Sequence, residues 1–441
     1  MDSARKTAVE ILSQVLKKKA YSNIALGKSL DRSSLDPKDK ALVTEIVYGT
    51  LKYKHTIDTV LSHFLKNGLR KIDEDVLNIL RISVYQIRYL DKIPQFAVVN
   101  EAVELAKKKS SGAGRLVNGI LRNYLRNPDA SFYDESNPIE KLCFEYSFPE
   151  WLVRMFILQY SPAEAENILR GLNMRPAVTV RVNTLKTTYE DAMEALKGYG
   201  YDVTEGQVCP EAIIINKGRN IEDNPLFSEG LISVQDESAM LVAPAMDLHE
   251  NMKVLDLCSA PGGKTCHMAE IMNNTGRIQA FDLHENKLKL IEENTGRLGI
   301  TNVVCSKLDA SKYTEKLTAA GDRVLIDVPC SGIGIIRKKP EIKWTKDIEG
   351  TTSLIDIQRK IMANASKYTK AGGKLIYSTC TLNKDENEEN IKWFLKKNPQ
   401  YSVEPLFFGK FDNVIYHKEG YVTILPNENM DGFFIAKMKK R

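Results

Sequence analysis

The chain has 441 residues, 43% of them hydrophobic and 27% charged, with a net charge of +5. That length exceeds one ordinary core, so about two or three domains of a soluble globular protein are expected. The first residues lead into an amphipathic pattern, and no apolar run approaches bilayer length. No signal peptide or membrane span is therefore expected, and the expected location is cytoplasmic.

The seven cysteines, at 143, 209, 258, 266, 305, 330 and 380, are odd in number, scattered and without a Cys-x-x-Cys pair. Neither a metal site nor a disulfide framework is expected; each thiol packs or reacts. Residues 1–130 carry 23 Lys and Arg against 14 Asp and Glu, a balance of +9, which leaves −4 for the remainder. This asymmetry suits a polyanion held by the first third of the chain, or simply a Lys-rich helical surface, and charge does not separate the two.

Residues 1–130 read as helices throughout. Apolar residues recur at helical spacing in Ala8–Leu16, Leu42–Leu51 and Val76–Ile87, then in Phe96–Lys107 and Leu116–Leu125. Asp36-Pro37 reads as a cap and first turn, and Asn127-Pro128-Asp129 as a stop. Residues 131–235 read as a small α+β module. Helices are expected near Trp151–Tyr160, Pro162–Leu172 and Tyr189–Gly198, with a β-branched strand at Ala177–Val182 and short apolar runs at Ala212–Ile215 and Leu231–Val234. From 236 to 441 strands and helices alternate, the pattern of a doubly wound α/β sheet. Strands are expected at Lys253–Leu257, Arg277–Phe281, Asn302–Cys305, Arg323–Asp327 and Lys374–Tyr377, and an antiparallel edge at Tyr421–Leu425 and Gly432–Met438.

After the first of these strands comes Cys258-Ser-Ala-Pro-Gly-Gly-Lys-Thr265. Its Gly pair allows a tight turn and close backbone approach to a ligand, but it matches neither the dinucleotide nor the P-loop fingerprint. Asp282 ends the second strand, where a carboxylate can accept from ribose hydroxyls; Asp309 comes after the third and is placed to meet an adenine edge; Asp327 ends the fourth. Carboxylates at successive strand ends fit a neutral-to-cationic nucleoside, such as S-adenosylmethionine, better than a phosphorylated one. The expected cofactor-binding residues are Cys258, Ser259, Ala260, Pro261, Gly262, Gly263, Lys264, Asp282, Asp309 and Asp327.

Cys330, in Asp327-Val-Pro-Cys, and Cys380, in Tyr377-Ser-Thr-Cys, each lie where a buried strand is expected to end. Ligands bind at the carboxyl ends of strands in such sheets. One cysteine alone would be read as packing. Two at strand ends suggest covalent catalysis on a substrate that is attacked and then released. The acidic run Asp385–Glu389 reads as the exposed start of a helix, and Lys338, Lys339, Lys343 and Trp344 as a patch that grips phosphate and stacks a base, with a solvated loop holding one packed Trp as the alternative.

Leu255–Thr265, Asp327–Gly334 with Arg337–Pro340 and Lys343-Trp344, and Tyr377–Thr381 resemble the motifs of RNA 5-methylcytosine methyltransferases. Ala41–Leu51 resembles the antitermination factor NusB, and Arg181–Thr184 and Val234–Ser238 resemble segments preceding the methyltransferase motifs. The domain order is similar to that of the bacterial 16S ribosomal RNA cytosine-5 methyltransferases. The resemblance implies an all-α NusB-like RNA-binding domain over 1–130, an α+β linking module over 131–235, and a Rossmann-like class I methyltransferase domain over 236–441. It implies S-adenosylmethionine as methyl donor, no metal, a loop of 16S rRNA as partner, and a monomer. Cys380 is then the nucleophile toward cytosine carbon 6, Asp327 bonds the base, and Cys330 assists release. DNA cytosine methyltransferases use the Pro-Cys thiol as nucleophile and need no second cysteine, so Cys380 favours RNA. A non-catalytic RNA-binding relative would be expected to have lost some of these residues; transfer RNA is the alternative substrate.

Overall fold

Apolar residues at helical spacing in the first third of the chain are buried along the faces that their periodicity marks out. The computed structural model describes residues 3–65, 68–127 and 130–441; Pro128 and Asp129 of the expected stop lie outside them. Helix Ala4–Lys18 is capped by Ser3 and buries Ala8, Ile11, Leu12 and Val15. Helix Pro37–Lys52 starts as expected, with Pro37 in its first turn and the Asp36 carboxylate accepting from Asp39 N at 2.8 Å. Helix Glu74–Tyr89 buries every residue from Val76 to Gln86 and is the hub against which the neighbouring helices pack.

The chain divides into two compact units. The first runs to Asn173 and takes in Ile336–Asp347 as well. The helices Pro138–Tyr146, Glu150–Tyr160 and Pro162–Leu172 therefore pack with the helical region, although their sequence reads as part of the middle module. Phe144 joins the helical core, and Thr56 Oγ1 donates to its carbonyl at 2.5 Å.

The returning segment overturns one expectation. Lys343 does not present a phosphate-gripping cation; it is 1% exposed. Its ammonium donates to Lys52 O at 3.1 Å, Ser147 O at 3.0 Å and Asn173 Oδ1 at 3.0 Å, 3.6 Å from the Phe148 ring centroid. Trp344, expected to stack a base, packs against the helical core and donates Nε1 to Leu51 O at 2.7 Å. Beside them the buried Glu341 accepts from Ser22 N at 3.0 Å and Ser22 Oγ at 2.7 Å. The physical reason is local: orphan carbonyls at helix ends need donors, and the three protons of one ammonium satisfy two such carbonyls and the Asn173 side-chain oxygen. Lys338 and Lys339 remain half-buried.

The second unit holds Met174–Ile335 and Ile348–Arg441. Its first layer is a sheet of β1 (Val178–Val182), β2 (Asp202–Glu205), β3 (Ala212–Lys217) and β4 (Ile232–Val234), in the order β2-β3-β1-β4, with every pairing antiparallel. The larger sheet contains β5 (Lys253–Asp256), β6 (Arg277–Asp282), β7 (Val303–Lys307), β8 (Gly321–Asp327), β9 (Thr369–Thr379), β10 (Tyr401–Glu404), β11 (Val414–Tyr416), β12 (Val422–Ile424) and β13 (Phe433–Lys440). Their order is β7-β6-β5-β8-β9-β13-β12-β11, with β10 paired to β13. The pairings from β7 to β9 are parallel, and those of β13 and β12 antiparallel. The buried apolar runs of β5, β8 and β9 explain why both faces are covered. Strand order reverses direction between β5 and β8, and a crevice opens outside the carboxyl ends of such neighbours. No helix among the described residues is long and apolar enough to cross a membrane.

Candidate active site

The crevice at the ends of β5, β8 and β9 brings together most of the residues picked out by the strand-end rule. Cys330 Sγ and Cys380 Sγ lie 3.4 Å apart, although 50 positions separate them in sequence. The parallel register of β8 and β9 causes this: Asp327 pairs with Ser378, so the segments leaving the two strands start side by side. A backbone bond pins the Cys330 loop, since Gly334 N donates to Cys380 O at 2.9 Å. A Cβ on Gly334 would collide with Gly432 O, so only glycine fits there.

Asp327 is held from both sides. Ser378 Oγ donates to Oδ1 at 2.7 Å, and Lys264 Nζ to Oδ2 at 2.7 Å. Burial, the largest single cause, would depress the Lys264 pKa, but the charge and hydrogen bond of Asp327, with Cys380 and Asp256, together outweigh it and raise it. The cation of this pair is thus within electrostatic reach of Cys380, where it favours a thiolate. Cys330 is in the opposite situation. Its hydrogen bond with Cys380, its burial, and the charges of Cys380, Glu386 and Asp327 all raise its pKa well above the ordinary thiol range.

The Gly-rich loop sits where a nucleoside would enter. Ser259 N donates to Phe281 O, Ser259 Oγ accepts from Phe281 N, and the loop is thereby tied to β6. Gly262 has φ +103°, and a side chain there would press within 3.2 Å of Ile291. The helix Gly263–Ile271 comes next. Asp256, at the end of β5, accepts from Thr265 Oγ1 at 2.7 Å, and burial raises its carboxyl to about 7. A cavity of about 160 Å³ is lined by Asp256, Ser259, Pro261, Lys264 and Asp327 among others. Asp282 ends β6, where its Oδ1 accepts from His284 N at 3.0 Å. Asp309 accepts from Ser311 N and Oγ and pairs with Lys312 at 3.3 Å, and these contacts lower its pKa. Glycine-enforced backbone and carboxylates at adjacent strand ends fit a nucleoside with hydroxyl donors and a cationic centre. Among the described residues no cluster of His, Cys, Asp and Glu could hold a metal ion.

Cys258 lies in the loop, and burial together with Asp256, Asp327 and Asp282 raises its pKa well above the thiol range, which keeps it protonated. Cys143, Cys209 and Cys266 are buried, whereas Cys305 is partly exposed. The acidic run differs from expectation. Asp385 and Glu389 are not buried, but Glu386 and Glu388 are. The reason is that the turn before helix Glu388–Lys397 folds inward over the cysteine loops, so the Glu386 carboxylate meets donors rather than water. Burial raises the Glu388 carboxyl to about 7.

Arg181, marked in the sequence only by resemblance, has a role that its neighbours along the chain do not show. Arg181 of β1 is fully buried, and its guanidinium spans Glu270 with Nε at 3.0 Å and Nη2 at 2.7 Å. Nη1 donates to Gly263 O at 3.1 Å and to Gln235 Oε1. The residue that ends the cofactor-side turn is therefore fixed from the antiparallel sheet by a two-pronged clamp. Arg181→Lys keeps the charge but loses the fork, and is expected to cost about 2 kcal/mol of stability in urea titrations. Unchanged stability would show that the fork contributes nothing.

Residues 243–439 match the model of the 16S rRNA methyltransferase RsmB/F family, residues 2–126 that of the NusB family, and residues 148–222 that of the RsmF/B-like ferredoxin-like domain. The chain is 38% identical to the probable ribosomal RNA small subunit methyltransferase B of Bacillus subtilis (strain 168), over 100% of this chain and 99% of that one. It is 30% identical to the ribosomal RNA small subunit methyltransferase B of Shewanella oneidensis, over 99% of each. Among solved structures, that of PH0851 superposes with a TM-score of 0.84 at 27% identity, covering 100% of this chain and 99% of the other. A methyltransferase homolog from Pyrococcus horikoshii gives 0.60 at 28% identity, over 70% of this chain and 100% of the other. With near-complete coverage of full-length relatives and all three domain types in order, the chain belongs to the 16S rRNA methyltransferase RsmB/F family.

Proposed function

We propose that the protein transfers a methyl group from S-adenosylmethionine to carbon 5 of a cytosine in small-subunit (16S) ribosomal RNA, through a covalent bond between Cys380 and the base. The observation that carries this reading is the pair of sulfurs 3.4 Å apart beside the Lys264–Asp327 ion pair. The names of the relatives, which are small-subunit rRNA methyltransferases, support the substrate class. S-adenosylmethionine, when bound, supplies an electrophilic methyl group. The loop from Cys258 through Ser259, Ala260, Pro261, Gly262 and Gly263 to Lys264, with Asp282, Asp309 and Asp327, would hold it.

Carbon 5 of cytosine is a poor nucleophile because the ring is aromatic. Addition of the Cys380 thiolate at carbon 6 makes carbon 5 enamine-like and able to accept a methyl group. Asp327, oriented by Lys264 and Ser378, accepts from the amino group at the edge of the base, and the Lys264 cation beside it balances the negative charge that develops on attack. Cys330 is protonated before the reaction because the neighbouring sulfur and carboxylates raise its pKa. Once Cys380 is bonded to the ring, its charge and its hydrogen bond are gone, so the largest single cause of that shift disappears, while burial, Glu386 and Asp327 remain. Cys330 can then release its own proton to solvent, the resulting thiolate takes the carbon-5 proton, and the electron pair left at carbon 5 expels the Cys380 thiolate. The base must leave its stack to reach these groups, which favours a loop nucleotide. The basic helical domain contributes affinity for the RNA backbone.

Bisulfite mapping of total RNA from cells with and without the gene tests the reading. One cytosine of 16S rRNA is expected to lose its protection when the gene is deleted. An unchanged map would refute the activity, and a lost position in transfer RNA would move the substrate.

A further inference from the structure

Glu386 is fully buried in the turn between Cys380 and the helix Glu388–Lys397. Its carboxylate accepts from Ser331 N at 2.9 Å, Ser331 Oγ at 2.5 Å and Gln358 Nε2 at 2.9 Å. Thr381 Oγ1 and Asn383 Nδ2 stand at 3.4 Å. Ser331 directly follows Cys330, and Thr381 directly follows Cys380; their hydroxyls also bond each other at 2.7 Å. Gln358 in turn donates to Pro329 O at 3.0 Å, the residue before Cys330. One carboxylate thus gathers the chain on the far side of both thiols.

A buried carboxylate held by neutral donors is costly to place, and for stability alone apolar packing would serve as well. What an ionised carboxylate adds is acceptor-only chemistry, with room for about four hydrogen bonds around two oxygens. A donor-rich amide cannot take all of these bonds in the same orientation. We propose that Glu386 is the positioning residue of the thiol pair, locking the Cys330 loop to the Cys380 loop so that both sulfurs address one pyrimidine ring. The proposal rests on the reading of the two thiols given above, but its test needs neither RNA nor cofactor.

The full chain is treated with dibromobimane, a short reagent that becomes fluorescent when it bridges two thiols, and the Cys330–Cys380 product is identified by peptide mass spectrometry. The wild-type protein is expected to be bridged. In Glu386→Gln the bridging rate should fall at least about tenfold, because a displacement of about 1 Å removes the second thiol from reach. Single labelling of Cys380 by monobromobimane should change less than about threefold in that variant. Bridging in Glu386→Gln at the wild-type rate, a parallel loss of single labelling, or no bridging in the wild type would each overturn the proposal. If Glu386→Gln does not fold, Ser331→Ala removes the shortest of these bonds and leaves the carboxylate. Slower bridging there supports the lock, and an unchanged rate overturns it. In methyl transfer the same variants should lower kcat with little change in KM. A wild-type protein that is bridged but transfers no methyl group would count against the activity and not against the lock.

Discussion

Cys380→Ala is expected to reduce methyl transfer by more than about 10³-fold, the scale on which covalent catalysts fail without their nucleophile. It should form no covalent complex with RNA. Cys330→Ala should still attack and methylate, but should stall before release. Incubated with labelled RNA and S-adenosylmethionine, it should accumulate a protein–RNA band that survives denaturing electrophoresis, and the double variant should lose that band. The asymmetry arises from the electrostatics of two thiols only 3.4 Å apart. Lys264 lies on the Cys380 side and favours its anion, while Glu386 and Asp327 oppose ionisation of Cys330. Two such groups cannot both ionise easily, and with Cys380 as the nucleophile Cys330 can act as base only after Cys380 is neutralised by bonding to the ring. A stable band with Cys380→Ala and none with Cys330→Ala would reverse the two roles. Normal turnover by Cys380→Ala would end the covalent reading altogether.

Lys343→Met should destabilise the helical unit by about 4 kcal/mol, since the volume is largely kept but three buried acceptors lose their donor at about 1–3 kcal/mol each. Lys52 O, Ser147 O and Asn173 Oδ1 are the groups left unpaired. Burial already pushes the Lys343 pKa well below the ordinary lysine range, with Lys52 adding to it, so the three acceptors and the Phe148 face are what hold the ammonium in place. Trp151 and Trp344 belong to the first unit and Trp393 to the second, so in a Trp393→Phe background tryptophan fluorescence during urea unfolding reports on the first unit. A midpoint equal to that of the wild type would contradict the structural role. The same experiment separates this role from RNA contact. A phosphate-binding lysine would leave the midpoint alone and reduce the salt dependence of RNA affinity, whereas Lys343→Met should do the reverse.

Much of the site is legible in the sequence because its logic is local. A buried strand is a short apolar run, and the residues just after it must lie at the carboxyl edge of the sheet. The positions of Asp256, Asp282, Asp327, Cys330 and Cys380 are fixed by that rule before any contact is known. The helical first domain is equally plain, since periodicity and caps such as Asp36-Pro37 act over one or two turns. The fates of charged residues are not legible in this way. Lys343 looks like a surface cation and Glu386 like the exposed start of a helix, because each reading considers only neighbours along the chain.

Local periodicity and chemistry therefore determined, from the sequence alone, which elements form and which side chains stand at the strand ends. Tertiary structure decided how far apart the two sulfurs are, which buried carbonyls claim Lys343, and which loops Glu386 joins. The donors to Glu386 include one 55 residues away in sequence, and one acceptor for Lys343 lies 291 residues away. A charge is buried only where such distant partners replace its water, and that replacement exists only once the chain has folded.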